Sequence, residues 1–121
     1  MSRISLAIEV ITAQSSHIPT LIFDEVDVGI GGATALVVGK LLATLGHQCQ
    51  VFCVTHLAQV ASFSDQHWQV QKHSHKDHNI TSITALNGKN QVEEIARMIS
   101  GDHLSRQSLA HAKQMLQTNL H

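Results

Sequence analysis

Residues 20–32 read TLIFDEVDVGIGG, and this stretch decides the fold. Its first four residues, Thr20–Phe23, form a short apolar run that predicts a buried β-strand. Three acids follow at once, Asp24, Glu25 and Asp27, so the carboxyl end of this strand carries negative charge. A strand buried along its length and charged at its end is typical of a sheet in an α/β domain.

The segments on both sides of this stretch extend the same pattern. Dense apolar residues predict a buried helix over 2–15, and a second helix is predicted over 33–45 with Gly46 at its end. Residues 50–55 (QVFCVT) are rich in β-formers and are followed by His56 and the short helical segment LAQVA. The order helix, strand, helix, strand, helix favours a mostly parallel sheet flanked by helices.

The later part of the chain has a different pattern. Residues 68–71 and 80–86 are predicted to be two strands of a hairpin, joined by the polar segment 73–79, with Trp68 in the core. Helices are predicted over 91–99 and over 104–120, the latter with Leu109, Ala112 and Leu116 on one side. Because no repeat or low-complexity linker interrupts the chain, residues 1–121 are interpreted as one α/β domain.

Composition narrows the classes of function. The chain has 8 Lys+Arg, 9 Asp+Glu and a formal charge of −1, so it has no basic excess with which to hold nucleic acid phosphates by itself. No apolar stretch has the length of a membrane span, and the N-terminus lacks the pattern of a secretory signal. Together with only two cysteines, this predicts a cytoplasmic protein with no membrane partner.

The adjacent acids Asp24 and Glu25 suggest a specific chemistry. At the carboxyl edge of a parallel sheet, one carboxylate can hold the Mg²⁺ that bridges nucleotide phosphates while its neighbour reaches the attacking water. A strand that ends in acids is also common where a chain simply leaves a sheet for solvent. The pair alone therefore leaves both interpretations open.

A second motif follows at a suitable distance. The stretch 20–32, followed by residues 51–61 (VFCVTHLAQVA), resembles the heads of the SMC and ABC-type ATPases. Among these, the chain is most similar to the RecN family of DNA repair proteins. The resemblance covers nearly the whole chain, including residues 1–11, the segment EEIARMISG at 93–101 and the last helix. It implies a P-loop NTPase head from the Walker B motif to the C-terminus.

The resemblance also implies roles for individual residues. Asp24 matches the Walker B aspartate that positions Mg²⁺, and Glu25 matches the carboxylate that polarises the attacking water. Asp27 falls in the D-loop, which reaches the interface between two heads, although an acid that only solvates the turn is an equally good interpretation. His56 matches the switch histidine that contacts the γ-phosphate, and its alternative is a hydrogen-bonded histidine without catalytic function.

The chain departs from the family pattern in three places. It contains no P-loop of the form GxxxxGK[ST], no coiled coil, and only Ser2-Arg3 of the signature sequence. The glycines Gly29, Gly31 and Gly32 lack the Lys and Ser/Thr of a phosphate-binding loop. The chain is therefore expected to be a split-off half that is inactive alone, with ATP and Mg²⁺ bound only in the completed head.

The partners implied by the resemblance are the N-terminal half of the head, a second head in a homodimer, and DNA through the longer protein, in a nucleoid-associated setting. Two alternatives remain. The chain is either an inert fragment or interaction module with an open sheet edge, or a small His-rich metal-binding protein. The second alternative rests on His73, His75 and His78, which a solvated hairpin turn explains more simply.

Overall fold

The computed structural model describes residues 19–24 and 30–119. Within these ranges the chain forms four strands and four helices. The strands are β1 (Thr20–Phe23), β2 (Gln50–Cys53), β3 (His67–His75) and β4 (His78–Leu86). The helices are α1 (Gly32–Leu45), α2 (Ala58–Ala61), α3 (Lys89–Ser100) and α4 (Arg106–Thr118). The helix predicted over 2–15 lies outside the described residues.

Strands β1 and β2 pair in parallel, as the sequence predicts. The register places Thr20 opposite Gln50 and Phe23 opposite Cys53. Alternate side chains of this sheet point to opposite faces. On one face Phe23 is buried in a hydrophobic core. On the other face Ile22 and Phe52 are 75% and 50% exposed. The two strands form a two-stranded sheet of their own within the described residues. Among the described residues, one face of the parallel sheet is therefore covered and the other is apolar and uncovered.

Helix α1 covers the inner face of the parallel sheet. Its buried residues recur at helical spacing, and they meet Phe23 and Val60 in a single cluster. They are Ala35, Val38, Leu42 and Leu45. Gly39 lies on the same buried side of α1, where the ring of Phe63 packs directly against its backbone. This glycine is needed for close approach and not for an unusual backbone conformation.

We expect Gly39→Ala to destabilise the fold by about 1–3 kcal/mol, the usual cost of overpacking a core. A Cβ at Gly39 would lie 2.9 Å from Cε2 of Phe63 and 3.0 Å from the backbone oxygen of Gln59, closer than ordinary van der Waals contact. The matched control is Gly32→Ala, because a Cβ there meets its nearest atom at an ordinary 3.7 Å. Urea unfolding measures the free energy of unfolding of both variants. Equal values for the two would refute the prediction.

A second core joins the C-terminal helices. Ile95 and Ala96 of α3 and Ala112 of α4 are fully buried against Ala58 and Ala61 of α2. Helix α2 therefore belongs to both cores, since its Val60 packs with α1. Leu109 and Leu116 pack against the same cluster, which confirms the predicted apolar side of the last helix. No helix among the described residues is long and apolar enough to cross a membrane.

The hairpin is longer than the sequence suggested. Strands β3 and β4 pair antiparallel from His67 opposite Leu86 to His75 opposite His78. Only Lys76 and Asp77 form the turn, with positive φ values of 40° and 68°, as a two-residue hairpin turn requires. The prediction that residues 73–79 form the connection was therefore wrong. Polar side chains there alternate along exposed strands, so their polarity did not mark a loop.

The prediction that Trp68 belongs to the core was also wrong. Trp68 is 54% exposed. Its neighbours in sequence, His67 and Gln69, lie on the opposite face of the strand and are only partly exposed, and Gln69 bonds to α3. Trp68 therefore shares the outer face with Val70 and Ile83, which are opposite each other in the register and are both exposed.

Candidate functional site

Two of the predicted site residues lie at one edge of the parallel sheet. Asp24 directly follows β1, and His56 follows β2 after a link of two residues. The backbone N–H of Val54 donates to the carbonyl oxygen of Phe23 at 2.9 Å, so the strands remain joined beyond the last residue pair. Asp24 and His56 are both exposed. Parallel pairing thus brings the two residues to the same carboxyl edge, where α/β folds bind ligands.

The remaining predicted site residues lie outside the described residues. These are Glu25 and Asp27. Beyond them, Gly31 adopts an extended conformation with φ −95° and ψ 178° and precedes helix α1, in which Gly32 is the first residue. Helix α1 therefore begins one residue earlier than the predicted start at 33.

The histidines of the hairpin share one face but do not form a metal site. His75 and His78 are opposite each other, and His73 lies two residues earlier on the same strand face. The Nε2 atom of His73 lies 3.3 Å from the hydroxyl of Ser82, within hydrogen-bonding distance. Within residues 19–24 and 30–119, no group of three or more His, Cys, Asp or Glu side chains is arranged to hold a metal ion. The histidine interpretation therefore has no geometric support.

A polar cluster that the sequence did not reveal joins the hairpin to α3. Glu94 is buried, with only 8% of its surface exposed. Its carboxylate accepts hydrogen bonds from Gln69 Nε2 at 2.6 Å and from Arg97 Nε at 2.9 Å. Arg97 also forms an ion pair with Glu94 through its terminal nitrogen. A buried carboxylate is tolerated when its oxygens are bonded in this way. The cluster fixes the base of β3 on helix α3.

His67 borders this cluster in a partly buried position. Its Nδ1 atom is buried and has no hydrogen-bond partner among residues 19–24 and 30–119. Burial lowers the pKa of His67 below its ordinary value of 6.5, and the nearby Glu94 carboxylate opposes this only in part. The folded state therefore favours the neutral imidazole.

This lowered pKa predicts a loss of stability in mild acid. As the pH falls below 6.5, His67 takes up a proton in the unfolded chain but not in the folded one, so the free energy of unfolding decreases until the lower folded pKa is reached. Above this range both states are neutral and the contribution is constant. We expect His67→Gln to reduce the pH dependence between about 7.5 and 5.5, the range around the ordinary histidine pKa.

The control for this prediction is His78→Gln, a change of the same chemistry at an exposed position of the same hairpin. Urea unfolding across the pH range compares the two variants with the unchanged chain. An equal pH slope in the chain with and without His67 would contradict the prediction.

A groove of about 420 Å³ lies beside the same cluster. The hairpin contributes Gln69, Gln71 and Thr84 to its wall, and α3 contributes Glu93, Glu94 and Arg97. It shares no residue with the edge that carries Asp24 and His56. Its polar lining is accounted for by the contacts between the hairpin and the helix, so we do not assign it a ligand.

Comparison with solved structures identifies the fold. The chain superposes with a TM-score of 0.66 on a structure described as "Structural biochemistry of ATP-driven dimerization and DNA stimulated activation of SMC ATPases". The two sequences are 17% identical, and the match covers 85% of this chain and 65% of that chain. No protein-family model matches the sequence. The described elements thus form part of an SMC-type ATPase fold, which confirms the predicted α/β class.

Sequence comparison identifies the particular relatives. The chain is 51% identical to the DNA repair protein RecN of Haemophilus influenzae, 48% to that of Vibrio cholerae and 45% to that of Treponema pallidum, each over 116 residues. Each alignment covers 96% of this chain. The chain matches a C-terminal segment of RecN, as the two motifs predicted. It spans about one fifth of the length of these relatives, 20% to 21%.

Proposed function

We propose that this chain supplies the Mg²⁺-binding and water-activating edge of a RecN-type ATPase head that acts in DNA double-strand-break repair and recombination. The observation that carries the proposal is the position of Asp24 and His56 at one carboxyl edge of paired parallel strands. The similarity to RecN over 96% of the chain and the SMC-type fold support it.

The side chains at this edge suit magnesium and a phosphate group. Asp24 offers carboxylate oxygens, which Mg²⁺ prefers, and it is exposed at the end of β1. Magnesium, when bound, neutralises charge on the β- and γ-phosphate oxygens during transfer. In our proposal Asp24 holds this ion and His56 contacts the γ-phosphate from the end of the neighbouring strand. Imidazole can accept a hydrogen bond when neutral or stabilise negative charge when protonated.

Two further acids complete the proposed site. Glu25 follows Asp24 directly and acts as the base that orients and polarises the attacking water. Asp27 reaches toward the interface with a second head. Both assignments rest on the order of residues after β1, since both residues lie outside the described part of the structure.

The proposed first partner is the N-terminal half of the same head, which carries the P-loop. The open face of the β1–β2 sheet supports this, because Ile22, Phe52 and Val54 are 75%, 50% and 55% exposed there. Large apolar side chains grouped on one sheet face mark a surface that another element covers. The P-loop half would bring the backbone N–H groups and lysine that hold the phosphates.

The wider setting follows from the relatives. We propose that the completed head pairs with a second head, that it acts on DNA through the longer protein, and that it works in the cytoplasm at the nucleoid. The solved relative is described in terms of ATP-driven dimerization and DNA-stimulated activation. The formal charge of −1 on this segment favours DNA contacts elsewhere in the longer protein.

The proposal is tested by magnesium-dependent ATP hydrolysis of this chain, alone and mixed with an N-terminal fragment that carries a P-loop. We expect turnover in the mixture only. Turnover by the mixture that disappears without magnesium supports the assignment of the edge. No turnover in a mixture that forms a stable complex would overturn it.

The exposed apolar face also favours a second candidate function. A chain that only docks through Ile22, Phe52 and Val54 would be an interaction module without catalysis. The same mixing experiment separates the two candidates, because the module forms the complex and leaves the mixture inactive.

A further inference from the structure

The hydroxyl group of Thr55 closes a tight turn around His56. The backbone N–H of Leu57 donates to Thr55 Oγ1 at 3.1 Å. This is a side-chain turn in which a threonine hydroxyl takes the place of a backbone acceptor two residues away. Thr55 is half-buried and His56, the residue inside the turn, is exposed. The turn therefore presents the imidazole of His56 at the surface on a constrained backbone.

The chain is held on both sides of this turn. Before it, Val54 N–H donates to the carbonyl oxygen of Phe23 at 2.9 Å, the residue next to Asp24. After it, Leu57 directly precedes α2, and its carbonyl oxygen accepts from the N–H groups of Val60 at 3.1 Å and Ala61 at 3.0 Å within that helix. The Thr55 hydroxyl is the link between these two anchored segments. Its loss removes the bond from Leu57 N–H that closes the turn around His56.

We propose that Thr55 is a positioning residue for His56, which fixes the imidazole relative to the strand edge that carries Asp24. The inference rests on the proposed function, because it assigns a structural cause to the placement of the switch histidine. Valine has the shape of threonine but no hydroxyl, so Thr55→Val removes the acceptor for Leu57 N–H. A displacement of about 1 Å in a catalytic group can cost about 10²-fold in rate.

The test uses the complete RecN-type protein that contains this segment, with steady-state ATP hydrolysis as the readout. We expect Thr55→Val to lower kcat by about 10- to 100-fold, with KM changed by less than about threefold because the phosphate cradle is untouched. Thr55→Ser keeps the hydroxyl and is expected to restore kcat to near the original value. The matched control is Thr44→Val, since that hydroxyl donates to Lys40 O at 2.9 Å on the exposed side of α1.

A double variant separates positioning from general damage. If Thr55 acts through His56, Thr55→Val has no further effect on kcat in a His56→Gln background. Independent, multiplicative losses in the double variant would overturn the inference, as would full activity of Thr55→Val. If Thr55→Val does not fold, Thr55→Ala and Thr55→Asn take its place, and the asparagine, which can accept the same bond, is expected to retain more activity than the alanine. Equal activity of these two would also overturn it.

The proposed function fails in a different way. If His56→Gln alone leaves turnover unchanged, the histidine is not part of the site and the proposed function is wrong. If His56→Gln lowers turnover and Thr55→Val does not, only the positioning inference is wrong.

Discussion

Replacing Glu25 with glutamine is expected to lower magnesium-dependent ATP turnover of the completed head by about 10²- to 10⁴-fold, the usual contribution of a general base. The amide keeps the size and shape of the carboxylate but cannot accept a proton from water at neutral pH. ATP binding should remain, because the phosphate cradle and the proposed Mg²⁺ ligand Asp24 are unchanged. Turnover and nucleotide affinity of the same preparation provide the comparison.

The matched control is Glu93→Gln on α3. Glu93 is an acid of the same type whose ion pair with Lys89, at 3.9 Å, lies at the surface and contributes little. Its replacement should leave turnover unchanged. Retained turnover in Glu25→Gln would show that Glu25 is not the base, whatever the control does.

Replacing Asp24 with asparagine is expected to weaken the magnesium-dependent part of nucleotide binding. An amide oxygen carries no charge and is a poorer ligand for Mg²⁺ than a carboxylate. We expect the apparent Mg²⁺ affinity to fall by about 10- to 100-fold. Replacing a residue that only hydrogen-bonds to a metal ligand typically has an effect of this size. Titration of nucleotide binding against Mg²⁺ concentration measures this directly.

Asp77→Asn provides the control for this substitution. Asp77 lies in the hairpin turn with φ 68°, a backbone conformation that asparagine also adopts readily, and it is exposed. The Mg²⁺ requirement of the Asp77→Asn variant should equal that of the unchanged protein. A Mg²⁺ requirement that stays the same in Asp24→Asn would count against the assignment of the magnesium ligand.

The parallel core of this fold could be predicted from its sequence because two physical signals agreed. Thr20–Phe23 and the QVFC of β2 are short apolar runs between turn signals, and a helical segment of suitable length connects them. A helix between two strands is the usual connection that lets them pair in parallel. Their carboxyl ends then had to meet at one edge, which is where Asp24 and His56 are found.

The hairpin could not be predicted in detail because its turn lacks the usual residues. Lys76 and Asp77 both adopt positive φ, which Asn-Gly or Asp-Gly pairs normally provide. The flanking His, Ser and Asn side chains are polar on both faces, so strand alternation left no signal in hydropathy. The orientation of Trp68 was missed for a different reason. Trp68-Gln69-Val70-Gln71 alternates between apolar and polar residues, but it is the polar Gln69 that faces α3 and bonds to Glu94.

The buried cluster at Glu94 and the turn at Thr55 were also missed. Glu94 lies between the apolar residues Val92 and Ile95, and a charged residue there is normally read as solvent-facing. The available signal was Arg97 three residues later, the spacing of a helical ion pair. The only sequence signal for Thr55 was its position between β2 and α2. Many threonines that follow strands make no such bond.

We propose that the carboxyl edge of β1 and β2 holds the metal ion of a bound nucleotide. The most direct test places Mn²⁺ and ATP in a completed head formed from the isotope-labelled chain and a P-loop fragment, with Glu25→Gln to prevent hydrolysis. Paramagnetic broadening of backbone amide signals then reports which residues lie near the ion. We predict broadening at Asp24 and His56 and none at Lys76 and Asp77 of the hairpin turn. Unbroadened signals at both Asp24 and His56, with nucleotide bound, would contradict the claim.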